Sequence, residues 1–110
     1  MQLKDRVAFV TGAGQGIGAS VARAYAREGA KVAVIDLTLD SAGHVAKEIA
    51  DAGGEAMAVA CDVSDRSQVE MAAEQVNAAW GRIDILVNNA GITRTAMLNK
   101  MTIEQWQQVI

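Results

Sequence analysis

"FVTGAGQGIGASVARAYAREGAKVAVIDL", Phe9–Leu37, decides the fold. It opens on an apolar run, passes glycines at 12, 14, 16 and 18, continues as an alanine-rich amphipathic run, and ends a second apolar run on Asp36. A short β-branched run reads as a buried strand, and apolar residues three and four apart read as a helix. Glycines between them allow a tight turn. The stretch therefore predicts strand, turn, helix and strand in a single βαβ unit.

Working outward, the pattern repeats. "RVAFVT" (6–11), "KVAVID" (31–36), "EAMAVA" (55–60) and "DILVN" (84–88) read as strands. "GASVARAYAREG", "LDSAGHVAKEIADAGG" and "SDRSQVEMAAEQVNAAWG" read as the helices between them. Gly29, Gly53 with Gly54, and Gly81 stand just past the helical runs, where a left-handed terminating residue is wanted. Asp40 or Ser41 is expected to cap the second helix and Ser64 the third. A last helix is expected from Thr102, with Gln105 as capping-box partner and Ile103, Trp106, Val109 and Ile110 on its apolar face. Strand–helix alternation with crossovers of this length predicts an α/β doubly wound parallel sheet of the Rossmann type, four strands in the order 3-2-1-4 with helices on both faces. Residues 1–110 read as one domain, with no linker or low-complexity segment.

Composition narrows the function. Hydrophobic residues make up 51% and charged residues 21% of the 110, the balance of a folded chain. A net charge of −3 argues against nucleic acid, whose phosphates call for a basic surface. The lone cysteine, Cys61, has no partner for an internal disulfide and reads as a buried small hydrophobe. The apolar run after "MQLKDR" is too short for a signal peptide or a membrane span, so a cytoplasmic location is expected. His44 is the only histidine and reads as solvated or partly buried rather than as a ligand; no metal site is expected.

The glycine loop has a specific use. Strand one ends at Thr11, Gly12 begins the turn, and the helix starts at about Gly16. Backbone without β-carbons lets a pyrophosphate approach the helix N-terminus, where amide groups and the macrodipole favour negative charge. Gly18 allows close helix–strand packing. A Walker loop would need lysine followed by serine or threonine; here Ala19 and Ser20 follow Gly18. Asp36 lies about twenty residues past the loop, where a carboxylate accepts the ribose hydroxyls of an adenosine. It repels a 2′-phosphate, and neutral Gln15 offers that phosphate no cation, so NAD is expected over NADP. Asp62 after strand three and Asn88–Asn89 after strand four bring further polar groups to the same sheet edge; turn capping and backbone satisfaction are the competing readings for these residues.

Taken in order and spacing, "TGAGQGIG" at 11–18, Asp36, "DV" at 62–63 and "NNAG" at 88–91 resemble the short-chain dehydrogenase/reductase family over essentially the whole chain. "GITRTAMLNKMTIEQWQQVI" looks like the subgroup of 3-oxoacyl-acyl-carrier-protein and acetoacetyl-CoA reductases. The resemblance implies a cofactor loop of Gly12, Gly14, Gln15, Gly16, Ile17 and Gly18. It implies ribose selection by Asp36 and Leu37, adenine contact at Asp62 and Val63, and Asn89, Ala90 and Gly91 along the nicotinamide side. Many acyl-thioester reductases of that subgroup prefer NADP, against which Asp36 stands; the local carboxylate decides for NAD.

The family's chemistry implies a tyrosine with a lysine four residues later, because a phenol of pKa near 10 needs a neighbouring cation to work near neutral pH. Tyr25 is the only tyrosine, and Gly29 stands four residues on. No catalytic residue is expected among the 110; the chain reads as the cofactor-binding front portion of a reductase, truncated before its serine, tyrosine and lysine, and inactive as a dehydrogenase. An oxidoreductase portion, a nucleotide-binding module without chemistry, and a purely structural self-associating fragment all remain open. Homo-oligomerisation is expected through an uncovered edge at strand four, "ILV" (85–87), or through the last helix.

Overall fold

Val7–Thr11 forms β1 and is buried at every position, as befits a run without charge that takes a central place in a sheet. The computed structural model describes residues 3–89 and 108–109. Beyond β1 it runs α1 (Gly16–Arg27), β2 (Lys31–Asp36), α2 (Leu39–Asp51), β3 (Glu55–Ala60), α3 (Arg66–Trp80), β4 (Ile85–Val87) and β5 (Gln108–Val109). The sheet is parallel, in the order β3-β2-β1-β4-β5. The expected order 3-2-1-4 is therefore present, extended by one short strand.

Alternation along the strands builds two cores. Val7, Phe9, Ile35, Val59 and Leu86 face α3, where Val69, Ala72, Ala73 and Val76 meet them. Ala8, Val10, Val32, Val34, Ile85 and Val87 face the opposite way and pack with Ala19 and Ala22 of α1 and Val45 and Ile49 of α2. Successive residues of a strand serve opposite layers, so a strand with helices on both sides has no polar position to spare. Phe9 is 1% exposed, and removing such a ring costs about 3–5 kcal/mol. Trp80 packs against the α3 layer and donates its indole N–H to Glu55 at 3.0 Å, in keeping with the helix-to-sheet role its position suggests. Among the described residues no helix is long and apolar enough to cross a membrane.

Two helix starts differ from expectation. The cap of α2 is Thr38, whose hydroxyl accepts from the Ser41 amide at 3.2 Å, not Asp40 or Ser41. Thr38 keeps an extended backbone, whereas Asp40 and Ser41 already lie within the first turn. The cap of α3 is Asp65, which accepts from the amides of Ser67 at 2.9 Å and Gln68 at 3.4 Å. Ser64, expected in that role, instead donates its hydroxyl to Asp62. Gly29, Gly53 and Gly81 carry positive φ just past their helices, as expected.

The far end of the sheet corrects two further expectations. Gln108 and Val109 pair in parallel with Leu86 and Val87, so the β4 edge expected to lie uncovered is occupied at those positions. The helix expected from Thr102 to Ile110 does not hold at 108–109, which are strand; the rest of that stretch lies outside the described residues. A strand edge offers a row of backbone donors and acceptors, and β-branched Val109 suits extended pairing better than a helix end.

Candidate functional site

Among the described residues, those expected to touch a ligand gather at the carboxyl ends of β1, β2, β3 and β4 and at the start of α1. Thr11 closes β1, and its hydroxyl donates to the carbonyl of Val87 at 3.2 Å and accepts from the amide of Asn89 at 3.1 Å. Gly12 then turns the chain with φ of 61°, and its carbonyl accepts from the Asn89 side-chain amide at 3.4 Å. A β-carbon on Gly18 would collide with that same carbonyl, so Gly18 is what lets α1 sit directly over the turn. Gly16 starts α1 with φ of 61°, and open space lies where its β-carbon would be.

Gln15 takes the N-cap position of α1, but its side chain makes no cap hydrogen bond, and the first turn carries no acidic residue. The helix start thus keeps the positive end of its dipole for something outside the chain. Gln15 is exposed, and Ile17, a large apolar side chain in the first turn of α1, is 75% exposed.

Asp36, at the end of β2, meets the glycine loop directly. Its Oδ2 accepts the Gly14 amide at 2.6 Å, and its Oδ1 accepts the Leu37 amide at 2.7 Å. The carboxylate is therefore turned toward the glycine loop and held in one orientation by two backbone donors. Leu37 is 68% exposed beside it. Asp62 and Val63 stand one strand further out, half-buried, and with Ser64 they close a cleft of about 290 Å³ against Gly12, Asp36 and Leu37. Cys61 lies buried at its base, and its thiol is pushed up to about 11, first by burial and then by the charges of Asp62 and Asp65.

Asp62 fills the turn-capping role. Its Oδ1 caps the local turn by accepting the Ser64 hydroxyl at 2.7 Å and the Ser64 amide at 3.0 Å, and these bonds hold its carboxyl below the ordinary carboxylate range. The residue still lines the cleft. Gln68 steadies it by accepting the Asp62 amide at 2.8 Å. Thr11 and Gln68 belong to the site's framework although neither was expected as a site residue. Thr11 carried a signal, a hydroxyl closing an otherwise apolar strand; Gln68, on an ordinary polar helix face, carried none. Ala90 and Gly91, also expected here, lie outside the described residues.

The arrangement suits a dinucleotide. It offers an anion-favouring helix start at a glycine turn, a carboxylate held by two backbone amides, and a cleft of about 290 Å³ beside it. The family model of the short chain dehydrogenases matches residues 6–110. The chain belongs to the short chain dehydrogenase family.

Two curated members of the short chain dehydrogenases align along nearly all of it. D-threitol dehydrogenase of Mycolicibacterium smegmatis is 42% identical over 99% of this chain and 42% of its own length. A 3-oxoacyl-acyl-carrier-protein reductase of Thermotoga maritima is 40% identical over 100% of this chain and 45% of its own length. Among solved short-chain dehydrogenases, a metagenomic oxidoreductase in complex with NADP superposes with a TM-score of 0.79, at 44% identity over 84% of this chain and 42% of that one. A 7α-hydroxysteroid dehydrogenase complexed with NADH and 7-oxo glycochenodeoxycholic acid gives 0.77, at 40% identity over 79% of this chain and 34% of that one. The chain thus spans less than half the length of the short-chain dehydrogenases it matches. Both nicotinamide dinucleotides occur among them.

Outside the cleft, His44 is exposed on α2 and faces Glu48 at 3.8 Å. Tyr25 is packed on α1 against the α1–α2 layer, and burial raises its phenol above the ordinary value, opposite to what proton transfer near neutral pH requires.

Proposed function

We propose that this chain is the NAD-binding portion of a short-chain oxidoreductase whose whole activity moves hydride between nicotinamide and a carbonyl or hydroxyl carbon. The observation that carries the reading is the Asp36 carboxylate, 2.6 Å from the Gly14 amide at the mouth of the cleft. Gly12, Gly14, Gln15, Gly16, Ile17 and Gly18 would cradle the pyrophosphate and the adjoining ribose. Asp36 would accept the ribose hydroxyls, with Leu37, Asp62 and Val63 around the adenine and Asn89, Ala90 and Gly91 toward the nicotinamide. When bound, the cofactor supplies the hydride chemistry; these residues bind and orient.

The preference for NAD follows from charge. A 2′-phosphate would meet the Asp36 carboxylate with no lysine or arginine among the proposed cofactor residues to offset it. The substrate class is a carbonyl or secondary alcohol, with 3-oxoacyl thioesters the narrower reading from the last twenty residues. The 110 residues bind without transferring hydride, because Tyr25, the only tyrosine, lacks a lysine partner and lies on α1, away from the cleft.

Calorimetric titration with NAD and NADP tests this. NAD is expected to bind more tightly, and Asp36→Ala to narrow the difference by about tenfold, the scale of a hydrogen bond to a charged group. Equal affinities in the unmodified chain would overturn the reading.

A further inference from the structure

We propose that Ser41 is a positioning residue for dinucleotide recognition: its β-carbon, lodged against Gly14, keeps the Asp36 carboxylate seated on the glycine loop and thereby sets the preference between NAD and NADP. The inference rests on the reading of Asp36 given above.

Three segments converge on one α-carbon. A β-carbon built on Gly14 would lie 2.5 Å from Asp36 Oδ2 and 2.7 Å from the Ser41 β-carbon, so the carboxylate and the Ser41 methylene share the space beside Gly14. Asp36 ends β2, Gly14 sits in the loop after β1, and Ser41 lies in the first turn of α2. The backbone at 41 is anchored independently, because Thr38 accepts the Ser41 amide at 3.2 Å and donates its hydroxyl to the Ser41 Oγ at 3.0 Å. The hydroxyl is thus engaged by the cap, while the β-carbon meets the loop.

That division of labour gives the side chain two separable functions. The hydroxyl serves the helix start; the bulk at the β-carbon decides how near the start of α2 comes to Gly14. The Ser41 β-carbon and the Asp36 carboxylate already occupy the space beside Gly14, so a γ-branch at 41 directed toward the loop must displace one of them. The loop then separates from Asp36, the 2.6 Å bond from the Gly14 amide lengthens, and the carboxylate keeps only the Leu37 amide to orient it. A carboxylate free to turn accepts ribose hydroxyls less well and moves away from a 2′-phosphate. Binding of NAD falls and binding of NADP falls less or rises. The sequence pattern offers Ser41 only as a candidate helix cap; its approach to Gly14 is what singles it out here.

The test measures affinities for NAD and NADP in the unmodified chain and in Ser41→Ala, Ser41→Val and Ser41→Thr, with circular dichroism to confirm folding. Ser41→Ala removes the hydroxyl but keeps the β-carbon, and is expected to retain the ratio of the two affinities. Ser41→Val is expected to lower the NAD preference by about tenfold, the scale of one displaced charge-assisted hydrogen bond. Should Ser41→Val not fold, Ser41→Thr carries a branch with the hydroxyl retained and is expected to shift the ratio the same way. An unchanged ratio in the branched variants, equal losses for both dinucleotides, or a ratio already lost in Ser41→Ala overturns the inference and leaves the reading of Asp36 standing. Absence of any preference in the unmodified chain overturns both.

Discussion

The Asn89 amide donates to the Thr11 hydroxyl at 3.1 Å across 78 residues of sequence, and that hydroxyl in turn donates to the Val87 carbonyl at 3.2 Å. One buried side chain therefore joins the ends of β1 and β4. Thr11→Val keeps shape and volume but leaves the Asn89 amide and the Val87 carbonyl without this partner. A loss of about 1–3 kcal/mol in urea denaturation is expected. Thr11→Ser, which retains the hydroxyl, is expected to lose less; equal losses would show that packing of the methyl, not the hydrogen bonds, holds the pair.

Gly16 and Gly18 are expected to respond differently to alanine. At Gly16 there is room for a β-carbon, and the cost is the left-handed backbone, φ of 61°. Gly16→Ala is expected to lose about 1 kcal/mol, on the scale of placing alanine in that region. At Gly18 the obstacle to a β-carbon is the Gly12 carbonyl, which is backbone, and the same β-carbon would lie 2.7 Å from Asn89 Nδ2. Gly18→Ala is expected to lose more stability in thermal melts and to abolish dinucleotide binding, since relief requires lifting α1 from the turn.

Cys61 gives the protein an alkaline weakness. Its thiol holds its proton up to about 11 in the folded chain, against 9.0 for a free thiol. Above 9.0 the unfolded chain loses that proton first, so stability present at lower pH declines as the pH rises toward 11. The slope is at most about 1.4 kcal/mol per pH unit. Urea midpoints measured at pH 8 and pH 10 are expected to fall less in Cys61→Ala than in the unmodified chain. A thiol reagent at pH 8 is expected to leave the folded protein unmodified; rapid labelling would contradict the burial that raises this pKa.

Asp84 holds the opposite end of the β1–β4 pair. Its Oδ2 accepts the Val7 amide at 2.8 Å, and its Oδ1 accepts from Arg82 at 2.6 and 2.8 Å, with the carboxylate side chain only 11% exposed. Asp84→Ala is expected to destabilise by about 1.5–3 kcal/mol, the range for a hydrogen bond to a charged group. Asp84→Asn, which still offers the Val7 amide an oxygen, is expected to cost less. The reverse ranking would place the main contribution in the arginine contact.

What could be read from residues alone follows from how local the cause is. Thr11 as the end of a strand and Gly16 as the start of a helix depend on neighbours within one turn, and both stand where the pattern puts them. Asp36 was legible because strand length and parallel order together dictate where the end of β2 arrives. The caps were less so: Thr38, Asp40 and Ser41 have similar chemistry, and the choice falls to whichever keeps an extended backbone when α2 docks. The pairing of Gln108–Val109 with β4 was not legible, since amphipathic spacing near Trp106 speaks for a helix while the edge that competes for it lies more than twenty residues earlier. Ser41 and Gln68 act through contacts that no spacing rule encodes.

Thr11 and Asp84 fasten the two ends of a strand pair whose members are separated by more than seventy residues of chain. Closing so long a loop is an entropic cost that must be met before either fastening can form. The Asn89 end of the site, proposed above to face nicotinamide, is therefore expected to form after the β1–α1–β2 unit, proposed to hold the adenosine. A dinucleotide reaching both halves acts as a tether between early- and late-formed parts of the protein, and should slow unfolding by more than adenosine diphosphate, which reaches only the first, at equal site occupancy.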